Sequence, residues 1–379
     1  MNKSEIARRL NISRPTIIDW LEKKEYEDER GWKEGTKRTH TDTEEDRIVE
    51  LKQKRIDEKK FFLGAPHIQM DYSKLHPNDP LPSLWFMNET FRRHNLQTHE
   101  PKKRTKGQNI VARLKFPIKS IITLGLIQQA SDFIGKKFIK GRTEPISIFS
   151  TSYYQQFQLY QIWRVCSETA ESAVTCLRNL WQTTPVPHVM RIDNGMTFRG
   201  TGRGESHIGR FVKFLLNTNV TPLFSAPYQS YTNPHVEGHN CTFTEKVWSK
   251  NFFTSEEEID RECDRFNTES REYFEYAFKE RMSERSLRYL ASEEQIPSMD
   301  ILRSTKGKKI CFIRYVERWN ERDRTSGVVV LNRFVSLPES FVNQYVFVIL
   351  NLETASLSVR SEDNGVLTEI LCQQFPFTV

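Results

Sequence analysis

The chain has 379 residues, with 56 Lys and Arg against 49 Asp and Glu, and its formal net charge is +7. This length predicts roughly two to four domains. No apolar run approaches the roughly 18–20 residues that cross a bilayer, and the first residues carry no apolar signal segment, so we expect a cytoplasmic protein rather than a membrane or secreted one. The six cysteines show no C-x-x-C spacing, which argues against a zinc ribbon and for reduced thiols.

Residues 1–28 predict two short helices joined by a turn. Apolar residues recur at helical spacing on both sides of Asn11 and Ser13, which supply the turn and a helix cap. This pattern is typical of a helix-turn-helix, whose second helix enters the major groove of DNA. Arg14 and Thr16, at the start of that helix, are therefore candidate DNA contacts. A plain helical hairpin without a DNA role is the alternative.

Residues 41–98 predict a second helical unit. A helical stretch over 44–59 is followed by a Pro-rich turn and a last helix over 83–95. This last helix resembles the second helix-turn-helix of insertion-sequence transposases. The resemblance makes Arg92 and Arg93 candidate DNA contacts.

Residues 99–120 form a basic linker in the sequence. Seven Lys and Arg and no acidic residue lie between 101 and 120, so this segment alone carries as much charge as the whole chain. A solvated linker is one interpretation, and a segment that holds the DNA polyanion is the other. The candidate contacts are Lys102, Lys103, Arg104 and Lys106.

Residues 121–285 predict an α/β core. A first strand begins within 121–127 and continues into QQASDFIG, which carries Asp132. Runs of β-branched and aromatic residues, helical periodicity and turn residues then predict further elements in alternation. In chain order these are strands over 146–154 and 157–165, a helix over 168–182, and a strand over 188–192 that Asp193-Asn194-Gly195 ends.

Residues 221–240 read TPLFSAPYQSYTNPHVEGHN, a polar loop followed by a helix start at Asn233-Pro234. Asn is a good N-cap, and Pro loses no hydrogen bond at the first helical position. Glu237 is then in the first turn, where the positive end of the helix dipole keeps a carboxylate ionised. A carboxylate in that state can bind a metal ion.

These segments resemble the catalytic core of retroviral integrases and DDE transposases, including bacterial insertion-sequence transposases. Three family patterns are matched: S-x-P-x-x-x-x-x-N-x-x-x-E, the strand-end D-N-G-x-x-F, and the D-F-x-G half of the first-strand motif. The matching residues are Ser225, Pro227, Asn233 and Glu237 for the first pattern, Asp193 and Phe198 for the second, and Asp132 for the third.

The resemblance implies an RNase H-like core in which Asp132, Asp193 and Glu237 are catalytic and hold two Mg²⁺ (or Mn²⁺) ions, for which hard oxygen ligands are suited. The implied reaction is cleavage at the 3′ ends of transposon DNA and strand transfer into target DNA. The implied partners are double-stranded DNA and further copies of the chain assembled on it, with an ATPase or target-selection protein as an additional one, in a prokaryotic nucleoid. A domesticated sequence-specific DNA-binding protein with an inactive core and a nuclease that cuts without joining are the alternatives.

The helix that begins at residue 234 carries further candidates. His235 and His239 share one helical face, but the zincin motif has Glu directly after the first His, so we expect both to approach the DNA backbone rather than zinc. Asn240 and Lys246 are the other DNA-contact candidates on this helix. Upstream, the G-x-G-x-G run in residues 199–206 lacks the features of a nucleotide-binding loop, and we interpret it as an enlarged, mobile active-site loop rather than a phosphate cradle.

Residues 309–379 contain short β-branched and aromatic runs separated by turn residues, which predict a small β-barrel after a connector at 286–308. Arg314, Arg318 and Arg333 are either DNA contacts or part of a solvated barrel face. The expected fold is therefore multidomain, with N-terminal all-α helix-turn-helix units, an α/β RNase H-like catalytic core and a C-terminal small β-barrel.

Overall fold

The computed structural model describes eleven segments of the chain, and all structural statements concern these. They are residues 3–10, 12–22, 40–97, 128–154, 158–200, 206–227, 233–283, 287–290, 299–320, 325–363 and 366–379. Three predicted features lie outside these segments. They are the basic candidates Lys102, Lys103, Arg104 and Lys106, the start of the first predicted strand, and positions 201–205 of the glycine-rich loop. None of the helices in the described segments combines the length and apolar character that crossing a bilayer requires.

The first two helices occur where the sequence predicts them. Helix α1 spans Lys3–Leu10 and α2 spans Arg14–Glu22. They pack through the buried side chains of Ala7 and Ile17. Ser13 caps α2, since its Oγ accepts a hydrogen bond from the Thr16 N–H at 3.3 Å.

Three further helices share one apolar cluster, which includes Ile48, Ile68 and Met87. They are α3 at Asp42–Asp57, α4 at Ala65–Leu75 and α5 at Leu84–Arg93. A capping box begins α3, with reciprocal hydrogen bonds between Thr41 and Glu44. Helix α4 has no counterpart among the elements predicted from the sequence.

The central part of the chain contains the predicted strands and helices and three elements that were not predicted, at Met196–Arg199, Arg210–Asn217 and Thr221–Phe224, the last of which occurs where a polar loop was expected. Its elements are β1 at Gln128–Phe138, β2 at Pro145–Tyr154, β3 at Leu159–Val165, α6 at Ala170–Thr183, β4 at Val189–Ile192, α7 at Met196–Arg199, α8 at Arg210–Asn217, β5 at Thr221–Phe224, α9 at Pro234–Lys246 and α10 at Glu256–Ser283. A short 3₁₀ helix at Trp248–Lys250 joins α9 to α10. The strands lie in the order β3-β2-β1-β4-β5. Strand β2 is antiparallel to both β3 and β1, whereas β4 is parallel to both β1 and β5.

Helices cover both faces of this sheet. On β2, Phe149 packs with Leu177 of α6 in one apolar cluster, while the adjacent Ile148 packs with Phe266 of α10 in another. Successive strand residues point to opposite faces, so a strand buried on both sides reads as a nearly continuous apolar run. Asp132 and Ile134, two residues apart on β1, therefore share the face that α9 and α10 cover.

The C-terminal strands extend this same sheet, and the predicted small β-barrel is not confirmed. Strand β6, Lys309–Tyr315, pairs parallel with β5, and β10 (Tyr345–Asn351), β11 (Ser356–Asp363) and β12 (Val366–Gln374) follow outward, giving nine strands. A separate three-stranded sheet is formed by β7 (Glu317–Asn320), β8 (Thr325–Val330) and β9 (Arg333–Ser336), with a 3₁₀ turn at Glu339–Phe341. Strand patterns fix which residues are buried but not which edge a strand joins, because that pairing is a long-range contact.

The α3–α5 cluster docks on the core through helix α10. The carboxylate of Glu269 accepts hydrogen bonds from the N–H groups of Phe61 and Phe62, at 2.9 and 3.4 Å. Beside them, the rings of His67 and Tyr273 stack with their centroids 4.3 Å apart. A buried carboxylate that receives two backbone donors fixes the contact in register, since both partners would be unsatisfied without it.

Candidate active site

Asp132 lies in the middle of β1, half-buried, on the face that α9 covers. Its neighbour on the same face, Ala130, packs against Val236 of α9. The Oδ1 atom of Asp132 accepts a hydrogen bond from the Phe133 N–H at 2.8 Å. The strand thus presents the carboxylate towards the start of α9.

Asp193 directly follows β4, and a tight turn orients its carboxylate. The Gly195 N–H donates to Asp193 Oδ1 at 2.9 Å. A Cβ on residue 195 would lie 3.0 Å from Oδ1 and 3.2 Å from Oδ2 of Asp193. A side chain here would crowd this carboxylate, which would have to shift by a few tenths of an ångström.

Glu237 lies in the first turn of α9, as predicted, but the predicted cap is absent. Asn233 precedes the helix and its carbonyl accepts the Glu237 N–H at 3.2 Å, yet its side chain makes no capping hydrogen bond. Instead the amide is buried, and neither its nitrogen nor its oxygen has a hydrogen-bond partner in the part of the chain that the structure describes. Asn233 lines the same cavity as Glu237.

One cavity of about 610 Å³ brings Asp132, Asp193 and Glu237 together. Burial first, and then the charges of Asp193 and Glu237, raise the pKa of Asp132 to about 8. Burial also raises the pKa of Asp193, against the Gly195 hydrogen bond, which lowers it. In the absence of a cation, Asp132 is therefore protonated at neutral pH, because a further buried negative charge beside Asp193 and Glu237 is unfavourable.

The donor chemistry of this cavity fits a hard divalent cation, but the side chains are not arranged around one. In the described segments, no group of three or more His, Cys, Asp or Glu side chains is placed so that it could hold a metal ion. The three carboxylates would have to rotate towards a common point. A bound cation would offset the burial and the repulsion that raise the pKa of Asp132.

The predicted DNA contacts on the N-terminal helices are exposed to different degrees. Arg14 is exposed at the start of α2. Thr16 is half-buried, and its hydroxyl hydrogen-bonds that of Ser13 at 2.6 Å. Arg92 and Arg93 are engaged with carboxylates of their own unit: Arg92 with Glu89 at 3.0 Å, and Arg93 with Glu45 at 2.9 Å.

The candidates on α9 differ more strongly from expectation. His239 is 1% exposed, and its ring stacks on those of Tyr160 and Phe266 with centroids 4.8 and 5.8 Å away. Neither ring nitrogen has a hydrogen-bond partner among the described residues. Burial lowers the pKa of His239 to about 3. This side chain is packed in the core, so the expectation that it approaches the DNA backbone is wrong. The available signal was its helical spacing with Val236 and Phe243, which are both buried.

The other three α9 candidates keep part of their surface. His235 is exposed with its ring stacked on Tyr154 at 4.3 Å. Asn240 accepts a hydrogen bond from the Ser150 hydroxyl at 2.5 Å. Lys246 is half-buried with its ammonium 4.7 Å from the centre of the Phe62 ring, and burial lowers its pKa. Lys246 thus serves the contact between α9 and the N-terminal helices.

Two arginines in the cavity wall were not assigned to this site by the sequence analysis. Arg199 ends α7, and Arg314 lies on β6, and both line the cavity with the three carboxylates. Arg314 is 5% exposed, which excludes the solvated barrel face. A basic residue at an inward-facing position of an apolar strand indicates a buried role. Which site Arg314 reaches, however, depends on the pairing of β6 with β5. Arg318 pairs with Glu339, and Arg333 lies 5.4 Å from the centre of the Phe375 ring.

Comparison with known proteins leaves the family open. No protein-family model matches the chain, and no curated protein matches it. Among solved structures, the chain is similar to one in the cryo-EM structure of the simian T-cell lymphotropic virus intasome in complex with the PP2A regulatory subunit B56 gamma. The identity is 9%, the TM-score is 0.27, and the match covers 66% of this chain and 82% of that one.

Proposed function

We propose that the protein is a DNA transposase or integrase of the DDE type, which cleaves at the 3′ ends of transposon DNA and transfers them to target DNA. The observation that carries the proposal is that carboxylates from three separate elements, Asp132 on β1, Asp193 after β4 and Glu237 on α9, line one cavity. Three such groups can hold two divalent ions without neutralising them fully.

The strand arrangement supports the same proposal. The strand order is β3-β2-β1-β4-β5, in which β2 is antiparallel to β1 whereas β4 and β5 are parallel to it. This is the topology expected of an RNase H-like core. In such a sheet, β1 and β4 are neighbours, so the middle of one and the end of the other lie close together. Helix α9 then brings Glu237 over the same place.

We propose Asp132, Asp193 and Glu237 as the ligands of Mg²⁺ or Mn²⁺. Bound there, the ions would lower the pKa of a water or 3′-hydroxyl and offset charge on the phosphate oxygens. The protein's own part is to orient its carboxylates, through the Phe133 N–H at Asp132 and the Gly195 N–H at Asp193. The cavity volume of about 610 Å³ is within the usual range of ligand sites.

DNA as a partner and assembly of several copies on it belong to the same proposal. Arg14, Arg92, Arg93 and His235 are the described candidates that are exposed, although Arg92 and Arg93 are paired with Glu89 and Glu45. Strand transfer of two DNA ends needs two active sites, which is the reason to expect a homo-oligomer. An ATPase or target-selection partner stays a prediction.

Strand transfer by the purified full chain tests the proposal, with Mg²⁺ or Mn²⁺ and a labelled duplex that carries the element's own ends. Glu237→Gln should abolish joined products while DNA binding persists. Glu245→Gln, on an exposed position two turns later in α9, is the matched control and should keep them. DNA binding by the wild type with neither cutting nor joining would favour the DNA-binding alternative, and cutting without joining would favour the nuclease.

A further inference from the structure

Arg314 is a buried cation in the wall of the candidate active site. It comes from β6, in the C-terminal part of the chain, and lines the cavity with Asp132, Asp193 and Glu237. Its hydrogen bonds to described residues all end on neutral oxygens. The guanidinium is therefore held in place without being neutralised.

The geometry of these bonds leaves donor capacity unused. Nε donates to Val329 O at 2.8 Å, Nη1 donates to Ile313 O at 2.8 Å and to Ser225 O at 3.1 Å, and Nη2 donates to Asn194 Oδ1 at 3.0 Å. A guanidinium carries five N–H groups. One N–H on Nη2 remains beyond these four bonds, on a side chain that borders the cavity.

Arg314 also joins the two strand ends that form the site. Asn194 follows Asp193 at the end of β4, and Ser225 follows β5. The Asn194 side chain donates to Ser225 O at 2.6 Å, so Arg314, Asn194 and Ser225 form a closed set of hydrogen bonds. The cation is thus fixed relative to Asp193.

An anion would relieve the cost of this arrangement. Burying a guanidinium without a counter-charge is unfavourable. Burial first, and then repulsion from Arg199, lower the pKa of Arg314 to about 9, which still leaves it charged at neutral pH. Arg199 lines the same cavity, so two positive side chains lie near each other there.

We infer that Arg314, together with Arg199, binds the non-bridging oxygens of a phosphate group in this cavity. Arginine presents a planar fork that matches phosphate oxygens, and its bonds to an anion are charge-assisted. A site that holds phosphate beside three carboxylates is complementary to a phosphodiester with divalent cations. The inference rests on the proposed function for the identity of that ligand, and it assigns the phosphate-binding half of the site to a strand outside the carboxylate motifs.

Titration of inorganic phosphate into the full chain, followed by ³¹P NMR in the presence of Mg²⁺, tests it. Arg314→Gln should weaken phosphate binding about tenfold or more, as expected for the loss of a charge-assisted contact. Arg314→Lys keeps the charge but not the fork, and should fall between. Arg199→Gln should weaken binding as well.

Arg288→Gln is the matched control. Arg288 also donates to backbone carbonyls, those of Thr218 and Asn219 at 2.9 and 3.3 Å, but it does not line the cavity. Its phosphate affinity should equal that of the wild type. If Arg314 were only a structural tie, Arg314→Gln would resemble this control.

Phosphate affinity that is unchanged in folded Arg314→Gln, or no phosphate binding by the wild type, would overturn the inference. Should Arg314→Gln fail to fold, Arg199→Gln decides, because Arg199 takes no part in the bonds between Arg314, Asn194 and Ser225: unchanged affinity in that variant would also overturn it. Wild-type protein that binds phosphate through Arg314 but joins no DNA would count against the proposed function alone.

Discussion

Replacing Asp132 with Asn should stabilise the protein when no divalent cation is present. Burial and the neighbouring carboxylates raise the pKa of Asp132 from 3.8 to about 8. The unfolded chain releases this proton near its ordinary pKa, whereas the folded chain keeps it, so stability is lost as pH rises from about 4 to about 8 and the loss is complete above that. Roughly four pH units at about 1.4 kcal/mol each give an upper limit of about 6 kcal/mol.

Urea unfolding with a chelator present, compared at about pH 5 and about pH 8.5, measures this effect. The wild type should lose stability between the two conditions, and Asp132→Asn should lose less. Asp260→Asn is a control that should lower the free energy of unfolding, because Asp260 receives two hydrogen bonds from Arg164, at 2.9 and 2.7 Å. Its partly exposed pair should cost only about 1 kcal/mol when broken.

Adding Mg²⁺ should reverse the order of the two proteins. A cation bound to the folded state alone stabilises the wild type by mass action. Asp132→Asn, which lacks a ligand, should gain less. If Asp132→Asn were no more stable than the wild type at about pH 8.5 in chelator, Asp132 would not be ionised against its neighbours, and the electrostatic account of the site would be wrong.

Four further substitutions test separate features. Gly195→Ala should weaken Mg²⁺ binding by calorimetry about tenfold or more, because its Cβ would lie 3.0 Å from Asp193 Oδ1. Gly238→Ala should instead raise the free energy of unfolding by up to about 1 kcal/mol, seen as a higher urea midpoint, since its Cβ would meet no described atom within 4 Å beyond its chain neighbours and the backbone of its own helix. Glu269→Ala should lower the free energy of unfolding by about 1–3 kcal/mol, because the Phe61 and Phe62 N–H groups would lose their acceptor. Limited proteolysis should then release the N-terminal helices faster. His239→Phe should stabilise the fold by about 1–2 kcal/mol and leave DNA affinity in a filter-binding assay unchanged, because both ring nitrogens are buried and have no partner within the described segments.

Local patterns were enough to locate the core elements. Strand β2 was expected at 146–154 and occurs at Pro145–Tyr154, and the helix expected at 168–182 is Ala170–Thr183. Alternation and helical periodicity report burial directly, which is why these elements were found. Asp193 was placed at a strand end and Glu237 in a first helical turn from local sequence, and Asp132 was placed on the first strand by the family resemblance; the structure gathers all three in one cavity. Their catalytic roles remain a proposal.

Side-chain partners were harder to predict than elements. Asn233 has the sequence of an N-cap, yet its amide is buried in the cavity wall without a capping bond. His239 was expected to approach the DNA backbone, yet its ring packs on Tyr160 and Phe266. In both cases the deciding term is tertiary burial, which residues of another element impose and local sequence does not report.

The C-terminal strands are part of the candidate site rather than a neighbour of it. A barrel that only bound DNA would pair its strands among themselves and leave β5 as an edge. Here β6 takes that edge, through Leu223 with Cys311 and Phe224 with Phe312, and the next inward residue on β6 is Arg314. The pairing of β6 with β5 therefore also determines where the Arg314 guanidinium lies. Since Arg314 bonds to Asn194 and Ser225 beside the motif carboxylates, a change in β6 should act on the chemistry of the site and not only on assembly.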